Sequence, residues 1–222
     1  MPKTSQYIPY DYEKITAREM LENSDSFFRM MDKRRTIRHF SDEEIPIEVI
    51  ENLVKTASTA PSGAHKQPWT YCIVSNPELK SKIRKAAEKE EFDNYNGRMS
   101  EEWLNDLAVF ETNWEKPFLE IAPYLIVIFK QTYGMNGDKK TKHYYVNESV
   151  GISVGLFIAA AHQAGLATLT HTPSPLNFLT QLLNRPINEK PFLLIPIGYP
   201  AVGASVPRIK RKQLDDFVVS YK

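Results

Sequence analysis

Apolar residues recur at helical spacing over Val49, Ile50, Leu53, Val54 and Ala57, which predicts an amphipathic helix. The preceding Ser41-Asp-Glu-Glu-Ile-Pro-Ile offers a capping residue, first-turn acids and Pro46, so the helix is expected to start at Ser41. Ala60-Pro61-Ser62-Gly63 is a cluster of breakers and should end it. Trp69 to Val74 reads as a strand and Pro77 to Glu91 as a charged helix. Tyr124 to Phe129 is continuously apolar, the pattern of a strand buried on both faces. Val146 to Gln163 is apolar all round, hence a central helix, closed by Ala164-Gly165. A short strand (Ala167 to Thr170), a short helix (Leu176 to Asn184) and a buried strand (Phe192 to Ile197) follow. No hairpin signal stands out, and strands separated by helices imply a sheet covered on both faces. Glu91 to Pro117 is less regular, with Trp103, Leu104, Leu107 and Phe110 at helical intervals in a polar segment, a candidate lid over residues 91–117.

The chain has 222 residues, enough for one large domain, and that is the expected organisation for 1–222. With 28 Lys plus Arg against 27 Asp plus Glu, it has no general attraction to nucleic acid or anionic membrane. The single Cys72 permits neither an internal disulfide nor a cysteine zinc site, which points to a reducing, cytoplasmic setting. No segment reads as a signal peptide or membrane span.

Some motifs fail on context. Gly151-Ile-Ser-Val-Gly155 matches the nucleophile elbow, but that motif needs a strand entering a sharp turn, and here it lies inside a helical stretch. Its small residues fit close approach by another helix better. The five histidines are scattered without metal-ligand spacing, so no metal site is expected. Neither a P-loop nor a glycine-rich dinucleotide fingerprint is present.

Other features keep a chemical reading beside a plain one. Arg34-Arg35-Thr36-Ile37-Arg38 and Arg208-Ile-Lys-Arg211-Lys212 are basic clusters in a balanced chain. Arginine's planar fork suits phosphate, so the two can share one phosphorylated ligand, or each can be a solvated face. The small residues of Pro61 to Trp69 let a backbone approach a flat ligand, or simply turn helix into strand. Glu91 and Tyr95 share a face if helical, and with Lys116 they offer an acid, a phenol and an amine to an amino-acid zwitterion. The surrounding Glu88-Lys-Glu-Glu91 run is an ordinary water-facing pattern, and on residue chemistry alone that plain reading prevails.

The arginine motif, the Ala60-Pro-Ser-Gly-Ala-His-x-x-Pro-Trp69 loop, Ala164-Gly-Leu166 leading to Thr170-His171-Thr172-Pro173, and the late basic cluster together resemble the FMN-dependent nitroreductase superfamily. The Glu91, Tyr95 and Lys116 trio, with Thr59 to His65 and Asn113-Trp114, resembles its deiodinase branch. That resemblance implies an α+β, three-layer fold with a central mixed sheet flanked by helices. It also implies an intertwined homodimer with two FMN molecules at the subunit interface and the C-terminal segment wrapped on the partner. By the same resemblance Arg34, Arg35, Thr36 and Arg211 hold the phosphate and ribityl end, Arg38 faces the flavin pyrimidine, and Ser62 and Gly63 flank the cofactor. Thr170 and His171 lead to Thr172, whose hydroxyl would donate to flavin N5 as the catalytic contact. His171 departs from the branch, which implies a small hydroxyl residue there. Ala64 would lie near the substrate ring, with Glu91 on the substrate ammonium, Lys116 on its carboxylate and Tyr95 on the same headgroup. The implied activity is reductive dehalogenation of 3-iodotyrosine and 3,5-diiodotyrosine to tyrosine and iodide, with NAD(P)H as electron donor directly or through a reductase. A general NAD(P)H-dependent nitro or quinone reductase is the alternative. A non-catalytic flavin- or polyanion-binding protein is the third.

Overall fold

The structure is a computed structural model that describes residues 7–221. The chain divides into two compact units, Met1–Arg34 and Arg35–Lys222.

In the first unit, helix α1 (Ala17–Asp32) is set by a capping box. The Glu19 amide donates to Thr16 Oγ1 and the Thr16 amide to Glu19 Oε2. The pattern reading above does not identify this helix.

The second unit is built on a sheet in the order β1 (Trp69–Val74), β2 (Tyr124–Gln131), β6 (Glu189–Gly198), β5 (Ala167–Thr168), with every neighbouring pair antiparallel. A parallel bridge joins Thr36 to Thr168, the sheet's parallel element, so the extended 35–40 segment runs along the edge of β5. Alternation along β2 builds two cores. Leu125, Val127 and Phe129 face one layer with Ile83 and Ala87 of α3 (Pro77–Asp93), Phe118 and Leu119 of α5 (Phe118–Ile121), and Leu179 of α7 (Phe178–Leu182). Ile126 and Ile128 face the other, with Ile50, Leu53 and Ala57 of α2 (Ile47–Ser58) and Val150, Val154 and Phe157 of α6 (Val146–Gln163). Helices therefore cover both faces, in the expected three layers. The remaining helix, α4 (Glu101–Ala108), falls in the irregular segment and buries no residue.

Several expectations need correction. Helix α2 begins at Ile47 rather than Ser41, because Ser41 Oγ accepts only the Glu43 amide, closing a local turn. A hairpin is present: β3 (Tyr133–Asn136) and β4 (Lys139–Lys142) pair across Gly137-Asp138, with Gly137 at φ +58°. Gly137 takes the first central position, where a primed two-residue turn requires positive φ. Gly151 and Gly155 do not admit another helix of this chain, since no described atom lies within 4 Å of a Cβ built on either. Among the described residues no helix is long and apolar enough to cross a membrane.

Candidate functional site

The extended conformation of 35–40 decides what the arginine cluster does. Successive side chains point to opposite sides. Thr36 and Arg38 line a cavity of about 650 Å³, Ile37 packs into the core, and Arg35 Nη2 donates to the carbonyl of Pro207. Ser205, Val206, Pro207 and Arg208 line the same cavity, so one arginine of each basic cluster, Arg38 and Arg208, lies on it. Arg38 lies 5.3 Å from the centroid of the Phe110 ring, a cation–π contact. Burial lowers its pKa, opposed by Tyr95.

Further lining comes from Phe110, Thr112, Asn113, Glu115 and Pro117 of the irregular segment and from Phe118 at the start of α5. Beside it the acid, phenol and amine come together. Glu91 lies on the buried stripe of α3 with Lys80, Ile83 and Ala87, so helical periodicity turns it inward despite the charge run around it. Lys116 Nζ lies 3.6 Å from Glu91 Oε2, and both residues are buried, at 4% and 8% exposure. The ammonium also donates to the Asn113 carbonyl and, at 3.4 Å, to Thr112 Oγ1. The lysine is held in register because its own amide donates to Glu88 Oε1 at 2.6 Å. Tyr95, in the π-turn Asn94–Arg98 that extends α3, donates its hydroxyl to the Thr112 carbonyl at 3.3 Å. Its ring centroid is 5.5 Å from Lys116 Nζ.

The electrostatics are those of charges taken out of water. Burial pushes the Glu91 carboxyl up, resisted by Lys116, and pushes the Lys116 ammonium down, resisted by Glu91. Tyr95 is raised by burial and then by Glu91. His171 lies in the same field. Its ring packs edge-on to Phe118 at 5.5 Å, and its Nε2 is buried without any hydrogen-bond partner. Burial, then the charges of Lys116 and Arg38, push the imidazole down to about 3, so it is neutral at neutral pH.

The remaining expected residues are not among those lining this cavity. Arg34 ends the first unit, its amide bonded to Met31 O. Thr170 and Thr172 are exposed on either side of His171, and Arg211 is exposed in the C-terminal segment. Ser62, Gly63 and Ala64 form a separate tight loop. Ser62 Oγ accepts the Gln67 amide, the Gly63 amide donates to Ser149 Oγ, and Ala64, His65 and Gln67 all have φ between +47° and +54°. A Cβ on Gly63 would meet the Tyr144 carbonyl oxygen at 2.6 Å, so glycine is required there by packing against the chain itself. Sequence reading passed over Phe110, Thr112 and Phe118 as cavity residues. Only the amphipathic spacing that ends at Phe110 hinted at one of them.

This α+β architecture, with a cavity that brings Arg38 and Arg208 together and is walled by an inserted segment, defines a class. The chain belongs to the nitroreductase family, whose model matches residues 31–199. Among relatives, it is 59% identical over the full length of both chains to the iodotyrosine deiodinase of Haliscomenobacter hydrossis. It is 47% identical to human iodotyrosine deiodinase 1, across 97% of this chain and 75% of that one. A crystal structure of oxidised iodotyrosine deiodinase bound to FMN and 3-iodo-L-tyrosine superposes with a TM-score of 0.76 at 31% identity, covering 88% of this chain and 98% of that one. A nitroreductase-like protein from Streptococcus mutans shares the fold at a TM-score of 0.66 and 15% identity, over 90% of this chain and all of that one.

Proposed function

We propose that this chain is an FMN-dependent enzyme that removes halogen reductively from halotyrosines, converting 3-iodotyrosine and 3,5-diiodotyrosine to tyrosine and iodide. The observation that carries this is the buried Glu91, Tyr95 and Lys116 cluster, which lies behind the cavity and bonds to two of its wall residues, Thr112 and Asn113. A buried carboxylate and ammonium that have only each other and a few local acceptors suit a zwitterion. Its ammonium replaces Lys116 at Glu91 and its carboxylate replaces Glu91 at Lys116, so neither protein charge is left unpaired. Tyr95 steadies the same headgroup, and residues 91–117 act as the lid that excludes water and strengthens these contacts.

The cavity fits FMN on two grounds. Thr36, Arg38 and Arg208 line it, with Arg35 fixed behind on Pro207, which suits a phosphate and an electron-rich ring edge. The second is His171, which lies behind the cavity residue Phe118 and not on the lining itself: its buried Nε2 has no partner, a polar group that a heteroaromatic ligand seated against this wall would complete. Arg34, Arg35, Thr36 and Arg211 would hold the phosphate end, and Arg38 the pyrimidine, where its charge favours added electron density. Ser62, Gly63, Ala64, Thr170, His171 and Thr172 would complete the pocket, the hydroxyl of Thr172 donating toward the ring. When bound, FMN supplies the two electrons that, with one proton, replace the carbon–halogen bond by carbon–hydrogen and release halide. Separation of the Ser62–Ala64 loop from the Arg38 cavity supports a homodimer in which each site draws on both copies. Reducing equivalents come from NAD(P)H, directly or through a reductase, and Cys72, its thiol pushed up by burial, suits a reducing cytoplasm in which it takes no part.

The test is anaerobic. The yellow holoprotein is reduced with dithionite, given 3-iodotyrosine, and assayed for tyrosine and iodide, both expected in stoichiometric amounts. Absence of iodide, together with rapid NAD(P)H-driven turnover of nitroaromatics or quinones lacking the amino-acid headgroup, overturns the proposal in favour of a general reductase.

A further inference from the structure

The β3–β4 hairpin is a feature that the dehalogenation reading does not use. Between Lys130 and Asn147 the chain carries three lysines against the single Asp138, in a protein whose total charge is only +1. The register places Tyr133 opposite Lys142 and Met135 opposite Lys140, so these four side chains share one face. The other face is filled: a Cβ on Gly134 would meet His143 Nε2 and Thr141 Oγ1, each at 2.7 Å. On the open face Lys140 Nζ lies 4.6 Å from the Tyr133 ring centroid and Lys142 Nζ 5.5 Å from that of Tyr144, while Met135, Lys140 and Lys142 are exposed. Lysines thus surround a small centre of Tyr133, Met135 and Tyr144.

The position of this face matters as much as its charge. Two residues after Lys142 the chain reaches Tyr144, whose carbonyl abuts Gly63, and Tyr145, whose carbonyl accepts from Ser149 Oγ. Ser149 in turn accepts the Gly63 amide. The hairpin is therefore continuous with the loop that, in the reading above, flanks the flavin. The reaction consumes two electrons and one proton for each halide released.

We propose that the Tyr133, Met135, Lys140 and Lys142 face of the hairpin is the docking surface for an acidic one-electron carrier protein that reduces the bound flavin. The inference rests on the FMN-dependent reading. A small, positively charged face with an aromatic and methionine centre has the character of a transient electron-transfer contact: low area, fast electrostatically steered association, easy release. The carrier is oxidised twice per turnover, the proton comes from water, and the carbon–halogen bond is the final electron acceptor. Nucleic acid is the weaker partner, because the positive charge is confined to one hairpin.

The experiment uses holoprotein and a plant-type [2Fe–2S] ferredoxin kept reduced by its NADPH-dependent reductase, with flavin bleaching and iodide release followed anaerobically. Dithionite is the parallel reductant. The K140E/K142E variant is expected to lose at least about 10-fold in the ferredoxin-driven rate at low salt, and the wild-type rate should fall steeply with added salt. With dithionite, wild type and variant should release iodide equally. Equal ferredoxin-driven rates overturn the proposal. So does an equal loss with dithionite, which would make the hairpin part of the reaction site, or an altered oligomeric state by light scattering, which would make this face a contact between copies. Failure of dithionite itself to drive iodide release in the wild type overturns the dehalogenase reading, and the docking inference with it.

Discussion

Two buried polar clusters lie on opposite faces of the same sheet, and they differ in one respect. On the α2–α6 side, Ser153 Oγ donates to the Ala57 carbonyl at 2.9 Å and shares a 2.7 Å hydrogen bond with Tyr71 Oη. Every polar atom there has a neutral partner within the fold. On the α3–α5 side, Glu91 and Lys116 oppose each other as charges, and His171 Nε2 has no partner. Burial is common to both clusters; satisfaction is not. A satisfied buried network ties elements together, whereas one that buries a loose ion pair beside an orphaned nitrogen is completed by something else. The nucleophile-elbow lookalike belongs to the first kind and the zwitterion trio to the second.

The comparison is broken most directly at Glu91. Glu91→Gln keeps the shape and removes the charge that would face the substrate ammonium. We expect halotyrosine affinity to fall at least about 100-fold, about 2.7 kcal/mol, with the flavin spectrum retained. Titration of flavin fluorescence with 3-iodotyrosine measures it. The same titration against pH sharpens the point. Because burial raises Glu91 above the ordinary carboxylate range, affinity should fall as acid reaches that raised value. In Glu91→Gln the acid limb should vanish. If Gln binds as tightly as Glu, the cluster is structural and the contrast fails.

Arg38 comes next. Arg38→Ala removes the guanidinium and its contact with Phe110, and should weaken FMN binding about 10- to 100-fold by equilibrium dialysis. Arg38→Lys should recover only part of this, because an ammonium lacks the planar fork.

How much of this could be read in advance differs between the clusters for the same reason. Elements with strong periodicity were legible: β1 and α6 have the bounds expected from their apolar patterns. Helix α1 was passed over although Thr16-Ala-Arg-Glu19 spells its capping box, because Met20, Leu21, Phe27 and Phe28 of its apolar positions stay exposed and give no core signal. The start of α2 was misplaced because Ser41, a good cap by composition, was used in a local turn. Glu91 looked solvated within its charge run, and only the phase of α3, set by Ile83 and Ala87, turns it inward. Its meeting with Lys116 spans the whole inserted segment, a distance no local pattern encodes. His171 gave least warning, since the lack of a partner is a property of the fold.

His171 predicts a smaller, pH-shaped effect on stability. Its folded value of about 3 lies below the ordinary 6.5, so between these values the unfolded chain binds more protons than the folded one. Stability should therefore decline as pH falls through that window, by up to about 1.4 kcal/mol per pH unit from this group. Urea unfolding at pH 6.5 and at pH 5 measures the slope, and His171→Gln should flatten it.

The smallest effect on function belongs to the satisfied cluster. Ser153→Ala leaves the buried Tyr71 hydroxyl without its partner, at a cost of about 1–3 kcal/mol in urea unfolding. Tyr71→Phe removes that hydroxyl, so the double variant should cost less than the two single changes together, because nothing polar is then stranded at Tyr71. Burial already pushes the Tyr71 phenol up to about 12, so the cluster carries no charge at any ordinary pH and has none to offer a ligand. Iodide release and FMN affinity should be unchanged in all three variants. A fall in turnover in Ser153→Ala with stability preserved would instead make Gly151–Gly155 a working site, and would remove partner satisfaction as the property that separates the two clusters.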